Sequence, residues 1–553
     1  MVTIKGQGVC GGVAFGKLYV LKKTSNVIKR ERVDDTEAEL ARFEDARKKT
    51  MLRLGALYDK AVAEVGESSA MIFEIHRMML EDEDYISSIR SIITNQKLNA
   101  ETAVANTSDN FAEIFTAMDD SYMQARAADV RDISERLIGV LSDSATDEIH
   151  SDIPVILAAE DLAPSETVQL DKSKIMAIVT EKGSANSHTA ILARTLNIPA
   201  VIGAKGITDN GESTDDVIVD GFTGTVYISP DMNTVLAMQK KKDEADSKKK
   251  LLNKLKGVKP VTKDGQSILL YANIGNPGDL PQAYANDAQG VGLFRSEFIY
   301  LERNSYPTED EQFAVYKKSA EKMGGKRIII RTLDIGADKQ ADYFELPREE
   351  NPAMGVRAIR ICLTRPQLFK TQLRALYRAS AYGNIAIMFP MITSVNEVKR
   401  IKEICSEVRD ELKAEKIPFN ENTSLGIMIE TPAAALISDK LADEADFFSI
   451  GTNDLTQYTL AVDRQNRAAE QFCDTHHLSV LRLIKTVVDN AHKGGIWAGI
   501  CGELGADTSL TEMFLAMGVD ELSVSPGAIL PIKKKVLETD VSAVRDEFLA
   551  KLN

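Results

Sequence analysis

The chain has 553 residues, a formal net charge of −15, and is 44% hydrophobic and 27% charged. At roughly 100–200 residues per domain, that length implies two to four domains, and the acidic balance argues against nucleic acid as the main partner. No apolar run reaches the ~18–20 residues that cross a membrane, and five scattered cysteines (Cys10, Cys362, Cys405, Cys473, Cys501) without CxxC spacing argue against a disulfide framework or zinc site.

The opening residues, MVTIKGQGVCGGVAFGKLYV, alternate and carry glycines, which predicts short strands and turns. They lack the charged-then-apolar order of a secretory signal, and a reducing cytoplasm is the expected location. Between residues 31 and 143 the apolar spacing becomes helical. The stretches VDDTEAELARFEDARKKTMLRLGALYDKAV, SSAMIFEIHRMMLEDEDYISSIRSIITNQ and ETAVANTSDNFAEIFTAMDDSYMQARAADVRDISERLIGVL read as a four-helix-type bundle. Strand patterns return in IPVILAAEDL, IMAIVTEKG, IPAVIGAKG and DDVIVDGFTGTVYISP. A helical block between two sets of strands predicts an insertion. Residues 1–30 and 144–230 then form one α/β domain, interrupted by a helical subdomain at 31–143. Residues 231–259, which include LAMQKKKDEADSKKKLLNKLKG, read as an exposed, charged helical linker.

From 260 to 553 short apolar runs alternate with helical segments: SILLYANIG, GVGLFRSEF, RIIIRTLDIG, NIAIMFPMIT, SLGIMIETPAAA, DFFSIGTNDLT and GIWAGICGELG. Alternating strands and helices predict a parallel sheet. Room for about eight such units points to a C-terminal (β/α)8 barrel of the TIM type. The alternative, a doubly wound open sheet, lacks a GxGxxG fingerprint after its first strand. The predicted fold is therefore multidomain α/β.

Two places carry chemistry. In GSANSHTAILART, residues 183–195, small polar residues lead to His188, and helix-forming residues follow it. A helix N-terminus offers unpaired N–H groups and partial positive charge, a suitable place for phosphate. The second place is the set of strand ends in the barrel, where barrel active sites lie. Glu430 follows SLGIMI, and Asp454 follows DFFSIG. Two carboxylates at neighbouring strand ends, without histidine or thiolate, suit Mg²⁺ or Mn²⁺ rather than Zn²⁺. Arg295, Arg331, Arg357 and Arg464 fall at or just beyond strand ends, with Asn453 beside them. Arginine forks bind carboxylate and phosphate, so the rim suits a small substrate carrying both. Cys501 ends the last clear strand and is read as a proton donor or, alternatively, a nucleophile. Cys10, Cys362 and Cys405 are expected to be buried and inert. His76 is read as a packing or partner-surface residue, and His150, His476, His477 and His492 are given no chemical role.

With these motifs assembled, the chain resembles Enzyme I of the bacterial phosphoenolpyruvate-dependent sugar phosphotransferase system. GVAFGK, AADVRDI, DLAPSET, GSANSHTAILART, GVGLFRSEFIYLER, RTLDIGADK, ENPAMGVRAIR, MFPMI, IETPAA, IGTNDLTQY and CGEL occur in the family's order. The resemblance implies that His188 takes the phosphoryl group of phosphoenolpyruvate and passes it to a histidine of the carrier protein HPr, releasing pyruvate. It implies that Arg295, Arg331, Arg357, Asn453 and Arg464 bind phosphoenolpyruvate, that Glu430 and Asp454 hold Mg²⁺, and that Cys501 is the proton donor. It also implies that the 31–143 insertion binds HPr and that the barrel forms a homodimer. A hinge is expected near the charged linker.

Four places depart from the family's usual pattern: Ser184 for a glycine and Asn186 for a threonine before His188, Ala337 for a glycine after RTLDIG, and GELGAD for GELAGD at residues 502–507. Altered rates rather than lost activity are expected from them. A dikinase or synthase of the same mechanistic group would need an ATP-binding domain ahead of the histidine domain. A regulatory paralogue would carry a sensor domain there, and a non-enzymatic scaffold would not need the rim residues.

Overall fold

The computed structural model describes residues 1–21, 28–65, 67–116, 121–142, 153–162, 174–183, 188–196, 198–213, 215–301, 303–336, 342–347, 349–464 and 466–552. The chain divides into two compact units, Met1–Lys248 and Lys249–Asn553.

The first unit is built on one sheet. β1 (Val2–Lys5), β2 (Gln7–Cys10) and β3 (Val13–Leu21) precede the helices. β4 (Val155–Ala159), β5 (Ile175–Thr180), β6 (Ala200–Ile202), β7 (Asp216–Asp220) and β8 (Thr225–Ile228) follow them. The sheet order is β1-β8-β7-β3-β4-β5-β6-β2, so the first strands do pair with the later ones. β3 and β4 are parallel neighbours, in register from Lys17 opposite Val155 to Leu21 opposite Ala159. A parallel connection needs a crossover, and here the crossover is the whole helical insertion. Ile156, Ala158, Ala177, Val179 and Val219 form the core on one side of the sheet.

The inserted helices are α1 (Thr36–Val65), α2 (Glu67–Met79), α3 (Glu83–Gln96), α4 (Ala100–Thr116) and α5 (Ser121–Leu141). The described residues thus hold five helices where the sequence pattern predicts four. Asp82 makes one of the breaks: its side chain accepts the N–H groups of Asp84 and Tyr85 and so caps α3. Phe43, Phe73, Ile89, Val104, Val130 and Leu137 are fully buried between these helices. Arg42 ties α1 to α4, lying 2.6 Å from both Glu39 and Glu101. His76 is 1% exposed, which makes it a packing residue and removes the partner-surface alternative.

α6 (His188–Leu196) follows β5. A long helix, α7 (Met232–Asn253), ends the first unit and begins the second; none of its residues is buried, as its charge predicts. Lys241 nevertheless pairs with the buried Asp220 at 2.5 Å.

The second unit is a closed parallel barrel. Its strands are β9 (Leu269–Ile274), β10 (Val291–Arg295), β11 (Ile328–Arg331), β12 (Ile385–Phe389), β13 (Ser424–Ile429), β14 (Phe447–Ile450), β15 (Trp497–Ile500) and β16 (Glu521–Val524). The seven runs legible in the sequence are the first seven strands. Alternate residues point inward and outward along each strand. Outward positions such as Ile330, Ile427 and Phe448 pack under the helices. Inward positions such as Tyr271, Ile329, Met388, Met428 and Phe447 fill the lower barrel, with Cys501 above them. Cys362 and Cys405 are buried as expected, whereas Cys10 is only half-buried, because it sits on the edge strand β2.

Candidate active site

The sequence-predicted rim residues gather at the C-terminal end of the barrel. Arg295 and Arg331 are the last residues of β10 and β11. Glu430 directly follows β13, and Cys501 directly follows β15. Asn453 and Asp454 stand in the first turn of α8 (Thr452–Leu460), just after β14. Arg357 precedes a short helix, and Arg464 lies in the turn after α8.

Burial separates them. Arg331, Arg357, Glu430, Asp454 and Cys501 are buried, while Arg295 and Arg464 are exposed. A buried guanidinium needs carboxylate partners, and the rim provides them. Arg331 bonds Glu297 and lies 3.0 Å from Asp334 Oδ2. Arg357 Nη2 donates to Asp334 Oδ1 at 3.0 Å, and Nη1 reaches the Tyr458 hydroxyl at 3.3 Å and Asp454 Oδ1 at 3.7 Å. Arg464 Nη2 lies 4.0 Å from the same Asp454 oxygen. Burial opposes the charge on Arg331 and Arg357, but the neighbouring carboxylates outweigh it and hold both above their ordinary value. Both arginines therefore stay cationic, and each keeps an Nε without a hydrogen-bond partner among the described residues.

The two acidic residues behave as a pair. Burial, then the Asp454 and Asp334 carboxylates, push the Glu430 carboxyl up to about 8, with Arg331 and Arg357 offsetting part of the rise. Glu430 Oε1 accepts the Met391 N–H at 2.6 Å. Met391 holds a φ of 57°, so the chain leaving β12 bends to aim that N–H. Asp454 Oδ1 is buried without a hydrogen bond from any described group. Two buried carboxylates that repel each other, one with an oxygen that takes no hydrogen bond from a described group, suit a hard divalent cation. Among the described residues no set of three His, Cys, Asp or Glu groups converges on a metal position.

Cys501 lies with its sulfur 3.6 Å from the Ile450 carbonyl. Burial pushes its thiol up to about 12, with the nearby Ser449 hydroxyl drawing it back slightly. The group is therefore a protonated thiol at neutral pH, suited to giving a proton rather than attacking as a thiolate. Asn273 fixes its backbone by donating to the Cys501 carbonyl at 2.9 Å. Asn453 accepts the Glu503 N–H at 3.0 Å and so ties α8 to the loop after Cys501.

His188 is the first residue of α6, where the sequence places a helix start. Gly183 before it has a φ of 109°, a turn that favours glycine. Ser184, Asn186 and Ala337 lie outside the described residues. His188 belongs to the first unit, and the rim residues belong to the second.

Sequence reading missed several contributors. Glu297 and Asp334 follow their strands by only a few residues and were visible as acids beside arginines, but not as the arginines' partners. Tyr458 and Asn273 gave no signal, because their roles depend on neighbours more than a hundred positions away.

Three family models match the chain, all of PEP-utilising enzymes. They are the N-terminal domain over residues 5–126, the mobile domain over 152–224 and the PEP-binding domain over 249–541. A protein from Listeria monocytogenes named phosphoenolpyruvate-protein phosphotransferase is 42% identical over 540 residues, 98% of this chain and 94% of that one. A protein of the same name from Staphylococcus carnosus is 41% identical over 544 residues, covering 98% and 95%. A solution structure titled Enzyme I is 32% identical with a TM-score of 0.40, covering 44% of this chain and 99% of that one.

Proposed function

The chain belongs to the phosphoenolpyruvate-protein phosphotransferases, the Enzyme I family, and from that premise we propose that it moves the phosphoryl group of phosphoenolpyruvate onto His188. Phospho-His188 then passes the group to a histidine of HPr, with release of pyruvate, as the first step of sugar uptake. The observation that carries this reading is the buried chain of Arg331, Asp334 and Arg357 facing Glu430 and Asp454 at the barrel rim. It supplies fixed positive charge beside a cation-ready carboxylate pair.

In this reading the guanidinium groups of Arg331 and Arg357 receive the phosphate and carboxylate of the substrate. Their Nε groups, which bond no described group, are available donors. Arg295 and Arg464, being exposed, close on the substrate from the solvent side, and Asn453 holds the rim loop in place. Glu430 and Asp454 would hold Mg²⁺, with Mn²⁺ as a substitute; when bound, the ion neutralises substrate charge as phosphoryl transfer develops. Cys501 gives its thiol proton to the methylene carbon of the enolate left when phosphate departs. A neutral imidazole at His188 is a competent acceptor, because an unperturbed histidine titrates at about 6.5. Its place at a helix start favours the phosphorylated form.

We assign residues 1–30 with 144–230 as the phosphohistidine domain, 31–143 as the HPr-binding insertion, 231–259 as the linker and 260–553 as the phosphoenolpyruvate barrel. The working form is a cytoplasmic homodimer joined through the barrels. Among the described residues no helix is long and apolar enough to cross a membrane.

The test is incubation with phosphoenolpyruvate labelled on its phosphate, with and without Mg²⁺, for wild type and His188→Ala. Acid-labile label that requires Mg²⁺ and His188, and that moves to added HPr, is the expected result. Label on another residue, or label that HPr cannot remove, would overturn it.

A further inference from the structure

One buried acid in the barrel is not used by the reaction as described. Glu521 opens β16 and is 0% exposed, and neither carboxylate oxygen takes a hydrogen bond from a described group. A buried side chain that serves structure alone is normally hydrogen-bonded. The barrel is shaped around this one instead. A Cβ on Gly292 of β10 would overlap Glu521 Oε1, and a Cβ on Gly499 of β15 would overlap Oε2. The neighbouring Ser523 hydroxyl donates to Asn273 Oδ1 at 2.5 Å.

Register places this acid beneath the reacting centre. Glu521 pairs with Gly499, and Gly499 pairs with Ser449 on the other side. Cys501 is two residues beyond Gly499 and faces the same interior. Glu521 Oε2 occupies the space that a Gly499 side chain would fill, and Gly499 is the register neighbour of Ser449 on β14. The Ser449 hydroxyl is itself buried, donates to no described oxygen or nitrogen, and lies near the Cys501 sulfur. Three buried polar groups thus line up around a single glycine.

We propose that Glu521 is an internal proton store that restores the Cys501 thiol, through Ser449, after Cys501 protonates the enolate. This rests on the assignment of Cys501 as proton donor. Cys501 first loses its S–H proton to the substrate methylene carbon, forming a C–H bond and leaving a buried thiolate. Ser449 then gives its hydroxyl proton to sulfur and takes the Glu521 proton on oxygen. The S–H bond is restored and Glu521 is left as a carboxylate, which regains a proton from solvent between turnovers. No electrons change hands. The charged and titratable groups around Glu521 are Tyr271 on β9, Cys501 beyond β15 and Asp520 before it in the chain. Burial, only partly offset by Ser523, keeps the carboxyl protonated far above the usual range.

The experiment compares the first turnover with steady state in the full chain, using phosphoenolpyruvate, Mg²⁺ and HPr. For Glu521→Gln, pyruvate formed in the first turnover should stay within about twofold of wild type. Steady-state turnover should fall about tenfold or more, within the range of general acid catalysis. One pyruvate per site should then appear as a burst. Ser449→Ala should give the same pattern and decides the matter if the Gln variant does not fold. In wild type, the infrared band of a protonated carboxyl, identified by its absence in Glu521→Gln, should dip on mixing with phosphoenolpyruvate. Wild-type steady-state rates in both variants, or first turnover and steady state falling together, or no dip, would overturn the proposal. Cys501→Ala separates the two readings: if it forms pyruvate at the wild-type rate, the assignment of Cys501 fails instead.

Discussion

Arg357 Nη2 lies 3.0 Å from Oδ1 of Asp334, and both side chains are buried. Asp334 also lies 3.0 Å from Arg331 through its other oxygen, so one carboxylate holds two arginines apart and aimed. Removing one partner of a buried ion pair leaves uncompensated charge and costs about 3–5 kcal/mol. Asp334→Ala should therefore lower thermal stability strongly. Asp334→Asn should keep the fold better and raise the KM for phosphoenolpyruvate more than it lowers kcat. Calorimetry and steady-state kinetics read the two effects. An unchanged KM in a folded Asp334→Asn protein would separate Asp334 from substrate binding.

The inward face of the barrel explains how far sequence could reach. Seven strands were legible because their apolar runs are continuous, as expected where both faces are covered. The eighth, β16, is four residues long and reads ELSV. Its inward positions are Glu521 and Ser523, so its pattern is that of a half-exposed segment, although all four residues are buried. The rim residues were legible because they stand directly after their strands. Their pairings were not, because Glu297, Asp334 and Tyr458 find their arginines through barrel closure and loop geometry. The helical insertion was legible as a block, but the cap at Asp82 was missed within the acidic run LEDED.

Gly336 has a φ of 115°, and a Cβ there would stand 2.5 Å from Arg357 Cβ. Both facts demand glycine. Strained backbone of this kind costs on the order of 1–3 kcal/mol, and the overlap would push Arg357 away from Asp334. Gly336→Ala should lose stability by about that amount and weaken phosphoenolpyruvate binding. Denaturant unfolding and titration with the substrate test this; tight binding in the Ala variant would mean that Arg357 has room to move.

The Cys501 thiol gives a signed pH prediction. Its folded-state value, pushed up to about 12 by burial, exceeds that of an unfolded cysteine at about 8.5. Between those values the unfolded chain releases a proton that the folded chain keeps. Stability from this group is therefore full below about pH 8.5 and falls by about 1.4 kcal/mol per pH unit above it. Cys501→Ala should lose less stability than wild type between about pH 8.5 and 10.5, whatever its stability at pH 7. In native protein, alkylation of Cys501 by iodoacetamide should be slow at pH 8 and keep rising without a plateau near pH 9. A plateau there would show that the thiol titrates near its ordinary value and that burial does not hold its proton.

Arg331 and Arg464 offer a contrast that separates binding from folding. Arg331 is 6% exposed and held by Glu297 and Asp334, whereas Arg464 is exposed and only 4.0 Å from Asp454. A pair as long as 4.0 Å with a solvent-exposed arginine contributes little, about 0–1 kcal/mol. Arg464→Ala should leave the melting temperature nearly unchanged, while Arg331→Ala should lower it sharply, because buried Glu297 and Asp334 each lose an arginine partner. Both should impair transfer from phosphoenolpyruvate, since both guanidinium groups face the same substrate in the proposed reaction. Raising the salt concentration should weaken the contribution of Arg464 more than that of Arg331, because solvent ions screen an exposed charge far better than a buried one. Melting curves with label incorporation into His188 at low and high salt make the comparison. Equal melting temperatures for the two variants would mean that the buried chain of charges does not hold the rim together.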